Sequence, residues 1–214
     1  MKYSTAIFTV LLSSVLLASN ASAQNTPREF FAQTAAAKKL ALIITGPTVG
    51  ADNEAKYRQL TLSLHDVLGR DYGYASDQIE LLYSDPKGES AEADERVDGV
   101  ANREGIEQAV AKLSAILNRG DQLAVFLLGH GTGSDSEAKF NISGPDVTGA
   151  EFAGLFSAFT EQDLIFVNTT SASFGFSRAL ADAVAGEGRI VISVVPCRPD
   201  DPIRLSARFS FEGI

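Results

Sequence analysis

Short aliphatic runs alternate with amphipathic segments along most of this chain. Leu40–Thr45 (LALIIT) is continuous and rich in branched side chains, the pattern of a strand buried on both faces. Over residues 53–68, Tyr57, Leu60, Leu64, Val67 and Leu68 recur at helical spacing. Residues 102–117 place Ile106, Ala109, Val110, Leu113, Ile116 and Leu117 on one helical face. Ile79–Tyr83, Leu123–Leu128, Leu164–Val167 and Ile190–Val195 predict four more strands, and further helices fall over 148–159 and 176–184. Thr148 and Glu151 have the spacing of a capping box at the start of the first of these.

Two segments break the alternation. Ser84–Gly99 is acidic and poor in apolar residues, as expected of a solvated loop. Between Arg204 and Glu212, Leu205, Ala207, Phe209 and Phe211 alternate strictly with polar residues, which suits a half-exposed strand at a sheet edge. Strand–helix repetition of this kind predicts a three-layer α/β fold, with a mostly parallel sheet of five to six strands and helices on both faces. The expected strand order is 2-1-3-4-5, with the tail as an edge strand.

The N-terminus has a different character. Lys2 precedes an apolar run from Ile7 to Ala18, and Ala21-Ser22-Ala23 is a small-x-small cleavage site. This is the pattern of a secretory signal peptide cut after Ala23, leaving 24–214 as one exported domain, periplasmic or secreted. The apolar run is shorter than the roughly twenty residues that a transmembrane anchor needs.

Net charge narrows the partners. The chain carries −9, and removal of Lys2 with the leader makes it −10. That sign repels nucleic acid and anionic lipid, and no basic cluster offsets it. The single cysteine, Cys197, has no partner for an internal disulfide.

The chemistry gathers at two strand ends. His130 closes the run DQLAVFLLGHGTG, and Ser171 closes DLIFVNTTSASFG. In an open parallel sheet such turns meet at the carboxyl edge, where ligands bind. An imidazole and a hydroxyl there are the components of a nucleophile–base pair. Bland readings stand beside this one: Gly129 and Gly131 can simply make a tight turn, and hydroxyl residues between a strand and a helix commonly cap the helix. His65 reads as a surface or boundary residue of its helix. No P-loop, helix-opening dinucleotide fingerprint or G-x-S-x-G elbow is present. Two histidines and one cysteine do not suffice for a zinc cluster. No cofactor or metal is implied.

Taken together, these segments resemble the legumain-type cysteine peptidases, relatives of the caspases, over roughly Leu40 to Val195. The resemblance puts His130, in LLGHGTG, at the family's catalytic histidine. In VNTTSASFG it puts Ser171 at the nucleophile position and Ser173 at the Ser of Cys-x-Ser-Gly. ITGPTVGADNEAKYRQ resembles the family's strand and loop leading to a Tyr-Arg pair, here Tyr57-Arg58, and YASDQIELLYSD resembles its second strand. The departures are a serine in place of the cysteine, Phe174 in place of a glycine, and Asn168-Thr169-Thr170 where an acidic residue would precede the nucleophile.

What the resemblance implies is peptide-bond hydrolysis by a Ser171/His130 dyad. The Gly131 and Ser171 backbone N–H groups would form the oxyanion hole, and Arg58 would bind an acidic or amide side chain of a peptide or protein substrate. A serine hydroxyl needs a well-oriented base, and Asp135 is the nearby candidate to orient His130. The alternative is a catalytically inactive relative that uses the same cleft as a peptide- or protein-binding module.

Overall fold

The structure, a computed structural model, describes residues 36–84, 94–134, 137–184, 189–194 and 205–209. The leader expected over residues 1–23, Cys197 and Asp135 lie outside them.

Six parallel strands and one antiparallel edge strand form the main sheet. In chain order they are β1 (Lys39–Thr45), β2 (Ile79–Tyr83), β3 (Gly99–Val100), β4 (Gln122–Leu128), β8 (Asp163–Asn168), β9 (Arg189–Val194) and β10 (Leu205–Phe209). A separate three-stranded antiparallel sheet joins β5 (Gly131–Thr132), β6 (Lys139–Phe140) and β7 (Val147–Thr148). In space the main sheet runs β10-β9-β8-β4-β1-β2-β3. This is the expected 2-1-3-4-5 order with the tail pairing antiparallel at one edge, and β3 adds a strand at the other. β1 and β4 are buried along nearly their whole length, as continuous aliphatic runs in a covered parallel sheet should be.

Alternation along the strands divides the core between two faces. Leu42, Ile44, Val125, Leu127, Leu164 and Phe166 pack on the side of α2 (Arg103–Ile116), α3 (Gly149–Leu155) and α4 (Ser173–Ala183). Ala41, Ile43, Phe126, Leu128 and Ile165 face the other side, with Leu68 of α1 (Ala51–Tyr72). Helices therefore cover both faces, and the fold is three-layer α/β.

The helix ends show which local signals decide. The Asn102 side chain caps α2 by accepting from the Gly105 N–H at 2.7 Å. The capping box of α3 forms, with the Glu151 N–H donating to Thr148 Oγ1 at 3.2 Å and the Thr148 N–H to Glu151 Oε2 at 2.9 Å. α3 stops at Leu155, short of the expected 159, because Phe156 and Phe159 turn into a ring cluster with Phe152, Phe166 and Phe176. α4 begins at Ser173, three residues before the expected start, and has no side-chain cap. Ser171 is thus not a helix cap. Its hydroxyl is engaged elsewhere.

Candidate functional site

β4 and β8 are neighbours, with Leu127 opposite Asn168. His130 and Ser171 each stand three residues beyond that pair, so the two turns leave the carboxyl edge level and side by side. Gly129, with φ +127, gives the first turn a backbone conformation that L side chains rarely adopt. Gly131 answers a different need. A Cβ there would lie 2.9 Å from the Ala172 Cβ and 2.9 Å from the Lys139 carbonyl oxygen. The turns after β4 and β8 touch, and glycine is what lets them.

Ser171 closes this contact with both of its hydrogen-bonding capacities. Its hydroxyl donates to the Gly131 carbonyl at 3.0 Å and accepts from the Gly131 N–H at 3.1 Å. Antiparallel pairing explains why Gly131 is open to it: the carbonyl of the preceding His130 accepts from the Asn141 N–H at 3.1 Å, on the side of β6. Successive backbone groups alternate sides, so those of Gly131 point outward. The serine hydroxyl fills the place of a missing strand neighbour.

A hydroxyl has one hydrogen. Here it goes to a backbone carbonyl, and the Gly131 N–H expected in an oxyanion hole is held by the same oxygen. Ser171 is exposed and His130 half-buried. The His130 ring packs against Tyr57 of α1, with centroids 5.6 Å apart and planes tilted by 50°. Sequence reasoning missed Tyr57 as the partner of His130, having placed it among the apolar positions of its helix. Only the rotation of α1 over the sheet brings the two rings together.

Arg58 stands at the other end of the edge. Its guanidinium lies 6.0 Å above the Tyr83 ring at the end of β2, and 3.7 Å from the Asp94 carboxylate. β2 is three strands from β8, about 14 Å at the usual spacing. Asp94 also accepts two hydrogen bonds from the Arg96 guanidinium, at 2.9 and 2.8 Å, and one from its backbone N–H at 3.1 Å, and Arg96 reaches Asp66 at 3.0 Å. The Arg96 hydrogen bonds hold the Asp94 carboxyl well below the usual carboxylate range, with the Arg58 charge a smaller contributor. This end of Ser84–Gly99 is therefore not plain solvated loop: a charge network pins it to α1, and Asp98 accepts from the Leu81 N–H at 2.8 Å. His65, on the same helix, is half-buried, with Nδ1 3.5 Å from Asp66.

Two large apolar side chains are exposed on this edge. Val49, in the loop after β1, is 82% exposed, and Phe174, in the first turn of α4, is 54% exposed. They follow β1 and β8, the two strands on either side of β4. Among the described residues no three His, Cys, Asp or Glu side chains gather as a metal site would require. Among the same residues no helix is long and apolar enough to cross a membrane.

No protein-family model and no curated protein matches the chain. Protein GSU0716 from Geobacter sulfurreducens, a solved structure, is similar at 12% identity, covering 73% of this chain and 72% of its own, with a TM-score of 0.43.

Proposed function

We propose that the chain is an exported, catalytically inactive relative of the legumain-type peptidases that keeps the carboxyl-edge cleft as a peptide- or protein-binding site. The observation that carries this reading is the double hydrogen bond between Ser171 and Gly131. Catalysis by His130 and Ser171 would require the hydroxyl to leave both partners and turn its hydrogen toward the imidazole. It would then have to vacate the N–H that the oxyanion needs. No described carboxylate bonds the His130 ring to orient it as a base, which a serine nucleophile ordinarily demands. The exposed Val49 and Phe174 give the cleft apolar flanks suited to the side chains of an extended peptide.

The deciding experiment is labelling of the protein from Gln24 onward with a fluorophosphonate, with Ser171→Ala as control. No label above the control is expected. Labelling that depends on Ser171 overturns this reading and restores the dyad. In parallel, a random peptide library panned against the same protein should enrich sequences whose binding is lost in Val49→Ser/Phe174→Ser. Enrichment indifferent to those changes would place the binding face elsewhere.

A further inference from the structure

Behind the Ser171 turn lies a group of polar side chains that the apolar core does not explain. Asn168 and Ser193 are register partners on β8 and β9. By alternation they point to the same face as Phe166 and Val191, which pack with Phe176 and Leu180 of α4. α4 lies against β9 and contributes the buried Ser177 to this region, and Thr170 is buried in the turn between β8 and α4. All four are at least nineteen-twentieths buried: Asn168 and Thr170 at 0% exposure, Ser193 at 2% and Ser177 at 5%.

Four of their polar atoms have no hydrogen-bond partner among the described residues: Asn168 Nδ2, Thr170 Oγ1, Ser177 Oγ and Ser193 Oγ. Native interiors rarely leave such groups unmatched. The other atom of the amide is in use, since Asn168 Oδ1 accepts from the Thr170 N–H at 2.9 Å.

We propose that Asn168, Thr170, Ser177 and Ser193 line an internal water site between α4 and the carboxyl ends of β8 and β9. The chemistry selects the ligand. A cation would meet the N–H donors of the Asn168 amide and no carboxylate among these four side chains. An anion would find no positive charge among them. A neutral water fits, because three hydroxyls can each donate or accept and the amide can donate. A buried water typically makes about three hydrogen bonds, so four side chains suit one or two waters. The turn that holds Ser171, fixed to Asn168 through the Thr170 N–H, would then rest on a hydrated seam rather than on dry packing. This does not depend on whether the cleft is catalytic.

The test pairs a high-resolution crystal structure of the protein from Gln24 onward with denaturation of Thr170→Val and Ser193→Ala. The expected result is density for an ordered water within hydrogen-bond distance of at least two of the four atoms. Each variant should also raise the unfolding equilibrium constant about fivefold or more, since it strips a partner from that water. If Thr170→Val does not fold, Ser177→Ala takes its place in the comparison. Three results overturn the proposal. They are a dry seam, protein groups from residues 185–188 or 195–204 bonded to these atoms, and apolar variants at least as stable as the wild type.

Discussion

At the β2 end of the carboxyl edge, Arg58, Asp94, Arg96 and Asp66 form a chain of alternating charges. At the β4–β8 junction, Ser171 and Gly131 meet through neutral groups alone. Both tie a turn to its neighbour, yet they should respond to different variables. Charges near the surface are screened by salt and titrate with acid. A hydroxyl held by a backbone amide and carbonyl does neither, and its weak point is steric. The contrast separates what a local sequence change can loosen gradually from what it breaks at once.

The neutral junction should give the largest effect. Gly131→Ala drives a Cβ to 2.9 Å from both the Ala172 Cβ and the Lys139 carbonyl oxygen, and neither is the end of a flexible chain. Parting the turns costs overpacking strain and also stretches the two Ser171 bonds. A loss of about 3 kcal/mol in urea denaturation is expected, the same at low and high salt. A loss below about 1 kcal/mol would mean that the two turns do not touch as described.

Ser171→Ala removes the bonds without adding bulk. Gly131 is only partly buried, so water can take over its N–H and carbonyl. The expected loss is about 1.5 kcal/mol, again independent of salt. Sensitivity to salt here would reveal a charged partner of Ser171 and undo the distinction between the two ends.

Asp94→Asn probes the charged end and should cost about 1 kcal/mol at low salt, fading toward 1 M. Its pH dependence has a definite sign. Asp94 has a lower pKa folded than unfolded, because Arg96 bonds its ionised form. Its contribution is therefore complete above the ordinary carboxylate pKa of about 3.9 and is lost progressively as the pH falls below it. Stability curves of wild type and Asp94→Asn should run parallel from pH 5 to 8 and converge in acid. Curves that stay parallel at pH 2 would rule out the depressed carboxyl.

What was legible in the sequence follows the same division. The long strands announce themselves through continuous aliphatic runs such as LALIIT and LAVFLL, because a strand covered on both faces needs no alternation. Thr148 was readable as a helix start because capping is local chemistry, whereas the Asn102 cap shows only in the structure. The two-residue strands β3, β5, β6 and β7 were not, since at that length pairing depends on the partner and leaves no periodicity. The convergence of His130 and Ser171 on one edge came from strand order. Their partners did not. That Ser171 bonds Gly131, and that His130 meets Tyr57, depend on which way a turn faces and how α1 is rotated, and neither leaves a mark in residue spacing.

The smallest effect, and the one that bears most on specificity, belongs to Arg58. It stands 3.7 Å from Asp94, a longer contact than the 2.8 Å bond from Arg96 to the same carboxylate, and its side chain is 27% exposed. Arg58→Ala should therefore cost no more than about 0.5 kcal/mol of stability at low salt. Its consequence for ligands follows from position. A guanidinium drawn to Asp94 beside the end of β2, three strands from Ser171, has its charge already matched by a carboxylate of this chain. Acidic and apolar peptides recovered from the library should bind Arg58→Ala and the wild-type protein alike. A selective loss for acidic peptides, on the order of tenfold, would show that Arg58 swings from Asp94 to the ligand. It would restore the role that the legumain resemblance implies for it. In that event Asp94→Asn, which removes the competing carboxylate, should tighten the same peptides, so the two variants together separate a reader of acidic side chains from a strut.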